Sequence, residues 1–253
     1  MKIRFLGTHN SESIDFAQTC FTLDGQILFD CGSAASRLTL NEQQQLKGIF
    51  LSHAHYDHIK DLPALGMNFF LDGAANLPLP VLALAQTLES VRRYLSDDCI
   101  YSDFFAKDVF KSVGLEADLA LHFQSYQITP IAGFHKIPCV GYHVQKGDIA
   151  FYYTGDTQNG FAQNFIKNGL CCDLLIAECT MKNAYRGITA HLCPKELATE
   201  IKQVIEHQGY APMVMAVHRS SKQDVLIHTE LEEIAAQLNV QIFCPEEGTE
   251  IEF

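Results

Sequence analysis

Residues 51–61 read LSHAHYDHIKD, and six consecutive positions of this segment carry three histidines and an aspartate: His53, His55, Asp57 and His58. In an extended segment, residues two apart point the same way, so His53 and His55 can face one point. A tight turn after them would let Asp57 and His58 face a second point. Imidazole and carboxylate groups suit zinc and related divalent ions, and catalytic zinc typically has three protein ligands and one open position. The segment therefore predicts the beginning of two metal sites and completes neither.

Three later residues could complete the two sites, because each stands where a strand-like run gives way to a loop. They are His135 in GFHKIP, Asp156 in TGDT and His218 in VHRSS. A single histidine is more often structural than a metal ligand. Together, however, the three residues supply the ligands that the first segment lacks, and we predict that they join it.

Apolar runs bounded by turn residues predict the strands that position these side chains. They cover residues 2–6, 20–23, 26–30, 48–52, 80–84, 126–131, 141–145, 149–154, 173–178, 213–217 and 240–244. Apolar residues at helical spacing predict helices over 85–95, 194–208 and 229–239. Pro194 suits the first position of the second helix, and Gly209 suits its end. Residues 96–125 are interpreted as irregular.

The strands of both halves are strongly apolar, which favours sheets covered by helices and a mixed α and β fold. No repeat or Pro/Gly/Ser-rich linker divides the chain, so one domain over residues 1–253 is predicted. The longest apolar stretches fall short of the roughly 18 residues of a membrane span, and the N-terminus lacks a signal-peptide pattern. We therefore expect a soluble cytoplasmic protein that does not contact a membrane.

Charge and cysteine content narrow the partners further. The formal net charge is −12, and the basic clusters are as small as Arg92–Arg93. This balance disfavours broad contact with a polyanion, so a small-molecule substrate is favoured over nucleic acid. The nine cysteines are an odd number without CxxC spacing, which predicts reduced thiols in the core.

The segments LSHAHYDHIKDL, TGDT and VHRSS, in this order, resemble the metallo-β-lactamase fold superfamily. More narrowly they are similar to its phosphodiesterase branch, which contains the class II cyclic-nucleotide phosphodiesterases and tRNase Z-like proteins. The opening IRFLGTHNS followed by ILFDCGS is similar to the first strands of that branch, so the resemblance covers nearly the whole chain. It implies a four-layer αββα sandwich, and relatives of this type often form homodimers.

The resemblance also implies roles for individual residues. His53, His55 and His135 would hold a first metal ion, while Asp57, His58 and His218 would hold a second. Asp156 would bridge the two ions, which are expected to be zinc, with manganese or iron as alternatives. Asp30 in LFDCG resembles an early aspartate that supports the metal-binding loop, although a simple turn aspartate is equally compatible with its position.

Two adjacent cations can share a bridging water, lower its pKa and neutralise charge on a phosphoryl oxygen, which suits phosphodiester hydrolysis. The leaving alkoxide needs a proton donor. His191 in RGITAHLCPKELA resembles the histidine of the HLTP and HST segments of those relatives, with Cys193 in place of their hydroxyl residue. Glu178 would orient His191. Asp57, His191 and Glu178 are thus the candidate catalytic residues, and helix capping is the alternative role for His191.

The leading prediction is a phosphodiesterase that acts on a small phosphodiester such as a 3′,5′-cyclic nucleotide. A tRNase Z-like endonuclease ranks second, because the basic arm that grips tRNA in that group is not visible here. Hydrolysis of a thioester, lactone or sulfate ester, or metal binding without turnover, stays open. Aromatic residues could stack on a base or pack in the core; they are Phe69, Phe70, Tyr101, Phe104 and Phe105.

Overall fold

The computed structural model describes residues 1–95 and 103–253. Its internal contacts group into two compact units. Unit 1 comprises Met1–Leu115 with Glu246–Phe253, and unit 2 comprises Glu116–Pro245. The single domain over residues 1–253 stays a prediction.

Unit 1 is built on a seven-stranded sheet in the order β14-β1-β2-β3-β4-β5-β6. Its elements are β1 (Lys2–Gly7), β2 (Cys20–Leu23), β3 (Ile27–Phe29), α1 (Ala34–Arg37), α2 (Leu40–Gln43), β4 (Gly48–Phe50), α3 (Tyr56–Ile59), α4 (Leu62–Asp72), β5 (Leu79–Leu84), α5 (Ala85–Leu95), β6 (Phe110–Leu115) and β14 (Glu250–Glu252). The strands from β14 to β3 are antiparallel, and β3 to β6 are parallel.

The core of unit 1 lies between one face of this sheet and the helices α4 and α5. Alternate strand residues such as Leu28, Ile49 and Val81 are fully buried in one cluster with Leu65 of α4 and Val91 of α5. Successive strand residues point to opposite faces, so their neighbours form the other face of the sheet. Burying a side chain of this size stabilises the fold by about 1.5–3 kcal/mol.

Unit 2 is built on a second seven-stranded sheet, in the order β13-β12-β11-β10-β9-β8-β7. Its elements are β7 (Leu121–Phe123), β8 (Tyr126–Ala132), β9 (Val140–Lys146), β10 (Ile149–Tyr153), α6 (Phe161–Lys167), β11 (Leu174–Glu178), a 3₁₀ turn (Asn183–Tyr185), α7 (Pro194–Gln208), β12 (Met213–Val217), α8 (Asp224–Leu238) and β13 (Ile242–Phe243). One face packs against α6, α7 and α8 through a buried apolar cluster that includes Leu175, Val214 and Ile201.

Strand direction in unit 2 explains where its loops lie. Strands β10 to β13 are parallel, while β8, β9 and β10 alternate in direction, so β8 runs the same way as β10. The carboxyl ends of β8, β10, β11 and β12 therefore lie at one edge of the sheet. That edge is where open α/β sheets place their ligand-binding loops.

The fold class is confirmed: the protein is mixed α and β with two mixed sheets, each carrying helices on one face, as the αββα prediction requires. The predicted strands correspond to β1–β5 and β8–β13, with β13 reduced to Ile242–Phe243. The helices over 85–95 and 194–208 have the predicted bounds, and Gly209 ends the second in a left-handed conformation with φ 82°.

Two expectations are corrected. The interpretation of 96–125 as irregular is wrong where the structure describes it, because β6 and β7 lie there. Both strands are partly exposed at the edges of their sheets, so they lack the apolar run that marks a central strand. Helix α8 begins at Asp224, whereas the sequence predicted a start at residue 229. The prediction omitted the first turn because Val225 and Leu226 are exposed there and break the apolar pattern.

The cysteines of residues 1–95 and 103–253 are all free, and six of the eight are buried, in agreement with the prediction of reduced core thiols. None of the helices in this described part of the chain combines the length and apolar content that a bilayer span requires.

Candidate functional site

The histidine-rich segment of unit 1 follows the buried parallel strand β4. His55 is the residue before α3, and Asp57 and His58 lie in the first turn of that short helix. The main-chain N–H of His58 donates to the carbonyl of His55 at 3.0 Å, which closes the turn that the sequence predicts. Gly32 lies against this turn, since a Cβ atom there would meet the carbonyl oxygen of Asp57 at 2.2 Å. Glycine thus permits the close approach of the two loops.

Asp30 anchors this segment through Ser52. The carboxylate of Asp30 accepts hydrogen bonds from the main-chain N–H of Ser52 at 2.7 Å, from its hydroxyl group at 2.8 Å, and from Nδ1 of His58 at 2.8 Å. Asp30, Ser52 and His58 are all fully buried. Asp30 therefore supports the histidine-rich segment through Ser52 and His58, which a simple turn aspartate would not do.

These contacts determine which ring nitrogen carries the proton. A hydroxyl group has one proton and a carboxylate oxygen only accepts, so Ser52 donates to Asp30. Nδ1 of His53 lies 3.0 Å from the same hydroxyl oxygen and must be its donor. His53 and His58 therefore both carry a proton on Nδ1, and their Nε2 atoms are the available metal ligands. Metal-ligating histidines typically have this arrangement.

Nε2 of His53 also lies 3.0 Å from Nδ1 of His55. Two nitrogen ligands at about 2.0–2.1 Å from one tetrahedral zinc ion are separated by a similar distance. Nε2 of His58 faces Oδ2 of Asp57 at 3.8 Å. The donor set and the proton positions of this cluster fit a divalent transition metal ion.

The predicted ligands of unit 2 converge at the edge where its strands end. His135 follows β8, Asp156 follows β10 and His218 follows β12. Oδ1 of Asp156 lies 3.4 Å from Nε2 of His218, and Oδ2 lies 3.9 Å from Nε2 of His135. The three side chains are nearly fully buried. Asp156, His191 and His218 each offer one ligand atom within 4.8 Å of the others, so carboxylate and imidazole groups of the kind that bind divalent metal ions are concentrated here.

Glu178 is the buried acceptor at the end of β11. Oε1 accepts from the N–H of Thr157 at 2.7 Å and from Nδ1 of His191 at 3.0 Å. Oε2 accepts from the hydroxyl of Thr180 at 2.6 Å and from the N–H of Leu192 at 3.3 Å. A carboxylate offers about four acceptor positions, and all of them are occupied here. These four hydrogen bonds offset the free-energy cost of removing the completely buried Glu178 carboxylate from water.

The structure thus brings the sequence-predicted residues together in two groups. Unit 1 gathers His53, His55, Asp57 and His58 with Asp30, and unit 2 gathers His135, Asp156, His191 and His218 with Glu178. Two hydroxyl residues, Ser52 and Thr180, were missed. Ser52 directly precedes His53, and Thr180 lies two residues after Glu178, but these positions are a weak signal because serine and threonine are common in such turns.

Several residues outside the two clusters have structural contacts of their own. The ring of His9 packs against Phe16 with the two ring planes tilted by 57°, and its Nδ1 lies 2.9 Å from the carboxylate of Glu247. Phe69 and Phe104 are buried in the core of unit 1, so they cannot stack on a base. Tyr101 lies outside the described residues. Burial raises the pKa of the Cys193 thiol to about 11, which keeps it protonated at neutral pH.

Comparisons with known proteins are consistent with this geometry. The family described as the beta-lactamase superfamily domain matches residues 26–218. The probable metallo-hydrolase YhfI of Bacillus subtilis is 26% identical over 173 residues, covering 66% of each chain. Ribonuclease Z of Methanococcus maripaludis is 26% identical over 156 residues, covering 56% of this chain and 47% of its own. This chain thus spans about half to two thirds of the length of these curated relatives.

Two solved structures share the fold across the whole chain. The crystal structure of the metallo-beta-lactamase fold protein YhfI has a TM-score of 0.80 at 20% identity, and covers 100% of this chain and 98% of its own. Unliganded yeast PDE1 has a TM-score of 0.83 at 16% identity, with 100% and 99% covered. At these identities the likeness shows the fold.

Proposed function

The chain belongs to the beta-lactamase superfamily, and from this premise we propose that it is a metal-dependent phosphodiesterase acting on a small phosphodiester such as a 3′,5′-cyclic nucleotide. Its curated relatives include a probable metallo-hydrolase, which supports hydrolysis as the general reaction. The fold likeness to yeast PDE1 supports the narrower choice. A cytoplasmic location stays a prediction.

We propose that the two clusters together bind two divalent metal ions, zinc first and manganese or iron as alternatives. His53, His55 and His135 would hold one ion, and Asp57, His58 and His218 the other, with Asp156 shared. When bound, such ions activate water and neutralise charge on the phosphoryl group. Asp57 would also help to orient the attacking water.

The observation that carries the phosphodiesterase proposal is the pair formed by His191 and Glu178. Oε1 of Glu178 holds Nδ1 of His191 at 3.0 Å, and the imidazole is 22% exposed while the carboxylate is buried. A histidine oriented in this way by a carboxylate can pass a proton from Nε2 to a leaving alkoxide, and the carboxylate stabilises the imidazolium. The alkoxide that leaves a phosphodiester is strongly basic, so a phosphodiester is a substrate that needs such a donor.

A tRNase Z-like endonuclease is the second candidate, supported by the similarity to ribonuclease Z. Its RNA substrate requires positive charge along a long backbone, whereas this chain has 18 Lys and Arg residues against 30 Asp and Glu. The charge balance supports the smaller substrate. Hydrolysis of a thioester, lactone or sulfate ester is a third candidate.

The test is a substrate panel with protein reconstituted with zinc or manganese. Cyclic AMP and bis-p-nitrophenyl phosphate should be cleaved, and a thioester should not. Turnover of the thioester or a lactone with both diesters intact would refute the proposal, and cleavage of a tRNA precursor alone would establish the second candidate.

His191→Ala tests the proton donor. Cleavage of cyclic AMP, whose leaving alkoxide is strongly basic, should slow by about 10²–10⁴-fold while bound metal stays unchanged. The matched control is His228→Ala, an exposed histidine of α8 whose ring lies 3.7 Å from Glu232, and this variant should keep full activity. Loss of metal in His191→Ala would contradict the assigned role.

A further inference from the structure

Thr180 is a buried residue that neither the sequence motifs nor the proposed chemistry assigns. Its hydroxyl oxygen lies 2.6 Å from Oε2 of Glu178 and 2.8 Å from Nδ1 of His218. It thus lies between the carboxylate that holds the candidate proton donor and a candidate metal ligand. We propose that Thr180 is a positioning residue whose hydroxyl group fixes the tautomer of His218, so that Nε2 presents a lone pair for metal binding.

The direction of the two hydrogen bonds follows from the four donors around Glu178. Its carboxylate also accepts from the N–H groups of Thr157 and Leu192 and from His191, so it acts only as an acceptor. The single hydroxyl proton of Thr180 therefore goes to Glu178, and 2.6 Å is typical of a hydroxyl group donating to a carboxylate. Nδ1 of His218 must then donate its proton to the hydroxyl oxygen.

The main chain holds Thr180 in this place independently of its side chain. Its carbonyl oxygen accepts from the N–H of Ser220 at 3.1 Å. Arg219, which directly follows His218, is buried and donates to Asp224 at 2.6 Å and to the carbonyl of Ala216 at 2.6 Å. Both loops are therefore anchored when the hydroxyl group is removed, and a substitution at Thr180 tests the hydroxyl group itself.

Unit 1 contains the same arrangement. There the hydroxyl of Ser52 donates to Asp30 and accepts from Nδ1 of His53, while Asp30 binds Nδ1 of His58 directly. In unit 2 the hydroxyl of Thr180 takes the place of Ser52. One buried carboxylate, Glu178, therefore orients His191 directly and His218 through Thr180.

The decisive variants are Thr180→Val, which keeps the shape and removes the hydroxyl group, and Thr180→Ser, which restores it. The matched control is Thr129→Val, the same change at a buried position of β8. The first readout is long-range ¹H–¹⁵N correlation on the metal-free protein at a pH where the rings are neutral. The His218 signals are identified by their absence in His218→Asn.

Wild type, Thr180→Ser and Thr129→Val should show His218 protonated at Nδ1, and Thr180→Val should show a mixture of tautomers. The second readout is zinc affinity, measured by competition with a chromophoric chelator. We expect Thr180→Val to bind zinc about 10–100-fold more weakly than wild type, because outer hydrogen-bond partners of metal ligands have effects of this size. Thr180→Ser and Thr129→Val should bind like wild type.

Two outcomes overturn the inference: a wild-type His218 that is protonated at Nε2 and not at Nδ1, or a Thr180→Val variant with unchanged tautomer and zinc affinity. The zinc readout rests on the proposed function, whereas the tautomer readout does not. If the tautomer and the zinc affinity both behave as expected and the wild-type protein cleaves no diester, the proposed substrate is refuted and the role of Thr180 is retained.

Discussion

The two units each orient a pair of histidines with one buried carboxylate and one hydroxyl group, yet they differ in enclosure. In unit 1, Asp30, Ser52, His53 and His58 are completely buried. In unit 2, Glu178 and Thr180 are buried, but the side chain of His191 is 22% exposed. A ring that is closed off from solvent is suited to hold a metal ion. A ring with one open side can also meet a substrate and exchange a proton.

The difference indicates that the same hydrogen-bond arrangement can orient a histidine either for metal binding or for proton transfer. The exposure of the imidazole ring distinguishes the two roles. In unit 1 both histidines are proposed as ligands. In unit 2 one histidine is proposed as a ligand and the other as a donor. Asp30→Asn and Glu178→Gln test this distinction directly, whereas Asp156→Ala tests the part of unit 2 in the reaction and Glu247→Gln gives a comparison outside both clusters.

The largest effect is expected from Asp156→Ala in unit 2. Its carboxylate lies 3.4–3.9 Å from ring nitrogens of His218, His191 and His135, and its removal takes away the charge on which this cluster depends. Diester hydrolysis should fall by at least about 10⁴-fold, which corresponds to about 5.5 kcal/mol in the activation barrier. The measurement is kcat/KM with saturating metal.

Asp118→Ala is the matched control, because this carboxylate of unit 2 lies at the surface, where it accepts hydrogen bonds from Lys167 and Asn168. It should retain activity within a few-fold of wild type. Substantial activity in Asp156→Ala would show that the unit 2 cluster is not part of the reacting site.

The second prediction compares Asp30→Asn with Glu178→Gln. Each change places an amide donor among groups that already donate. We expect the loss of stability to depend on how completely the surrounding cluster is buried. Asp30→Asn leaves three buried donors with one amide oxygen to accept them, and at about 1–3 kcal/mol for each buried group left unsatisfied we expect a loss of about 3–5 kcal/mol. Water can enter beside the exposed His191, and we expect about 1–3 kcal/mol for Glu178→Gln. Urea unfolding of the metal-free proteins measures both.

Glu89→Gln is the control, since its pair with Arg93 on α5 is exposed and should change stability by less than about 0.5 kcal/mol. Equal losses for Asp30→Asn and Glu178→Gln would mean that exposure does not distinguish the two arrangements.

The smallest effect concerns a carboxylate and histidine outside both clusters. Burial acts to raise the pKa of Glu247, but hydrogen bonds from His9 and from the N–H of Ala17 outweigh it and lower the pKa from 4.5 to about 2. A lowered pKa in the folded state stabilises the protein above the unfolded value of 4.5, and this stabilisation is lost as the pH falls towards 2. We expect a contribution of about 1–2 kcal/mol after allowance for solvent screening.

The measurement is urea unfolding of wild type and Glu247→Gln between neutral pH and pH 2. The stability difference should be largest at neutral pH and shrink in the acid range. A difference that does not change with pH would show that Glu247 acts through packing and not through its charge.

Much of the fold and, apart from Ser52 and Thr180, the residues of both clusters could be predicted from the sequence. The strands β1 to β5 and β8 to β12 follow from apolar runs, because a buried strand needs them and polar turns end them. His53, His55, Asp57 and His58 are near neighbours in the chain, so their convergence depends only on a strand end and one turn of helix. The edge strands β6 and β7 were missed because a partly exposed strand does not need a continuous apolar run.

The amino-acid sequence by itself determined which residues are able to bind metal, where the strands that carry them end, and the mixed α and β class. Tertiary structure alone decided which ring nitrogen each histidine presents, since that depends on Asp30 reaching Ser52 and Nδ1 of His58, and on Glu178 and Thr180 reaching Nδ1 of His191 and of His218. It also decided that His191 keeps one side exposed while its partners are buried. Residue type sets what a side chain can do, whereas the proton position and the exposure depend on groups that the fold brings together from distant parts of the chain.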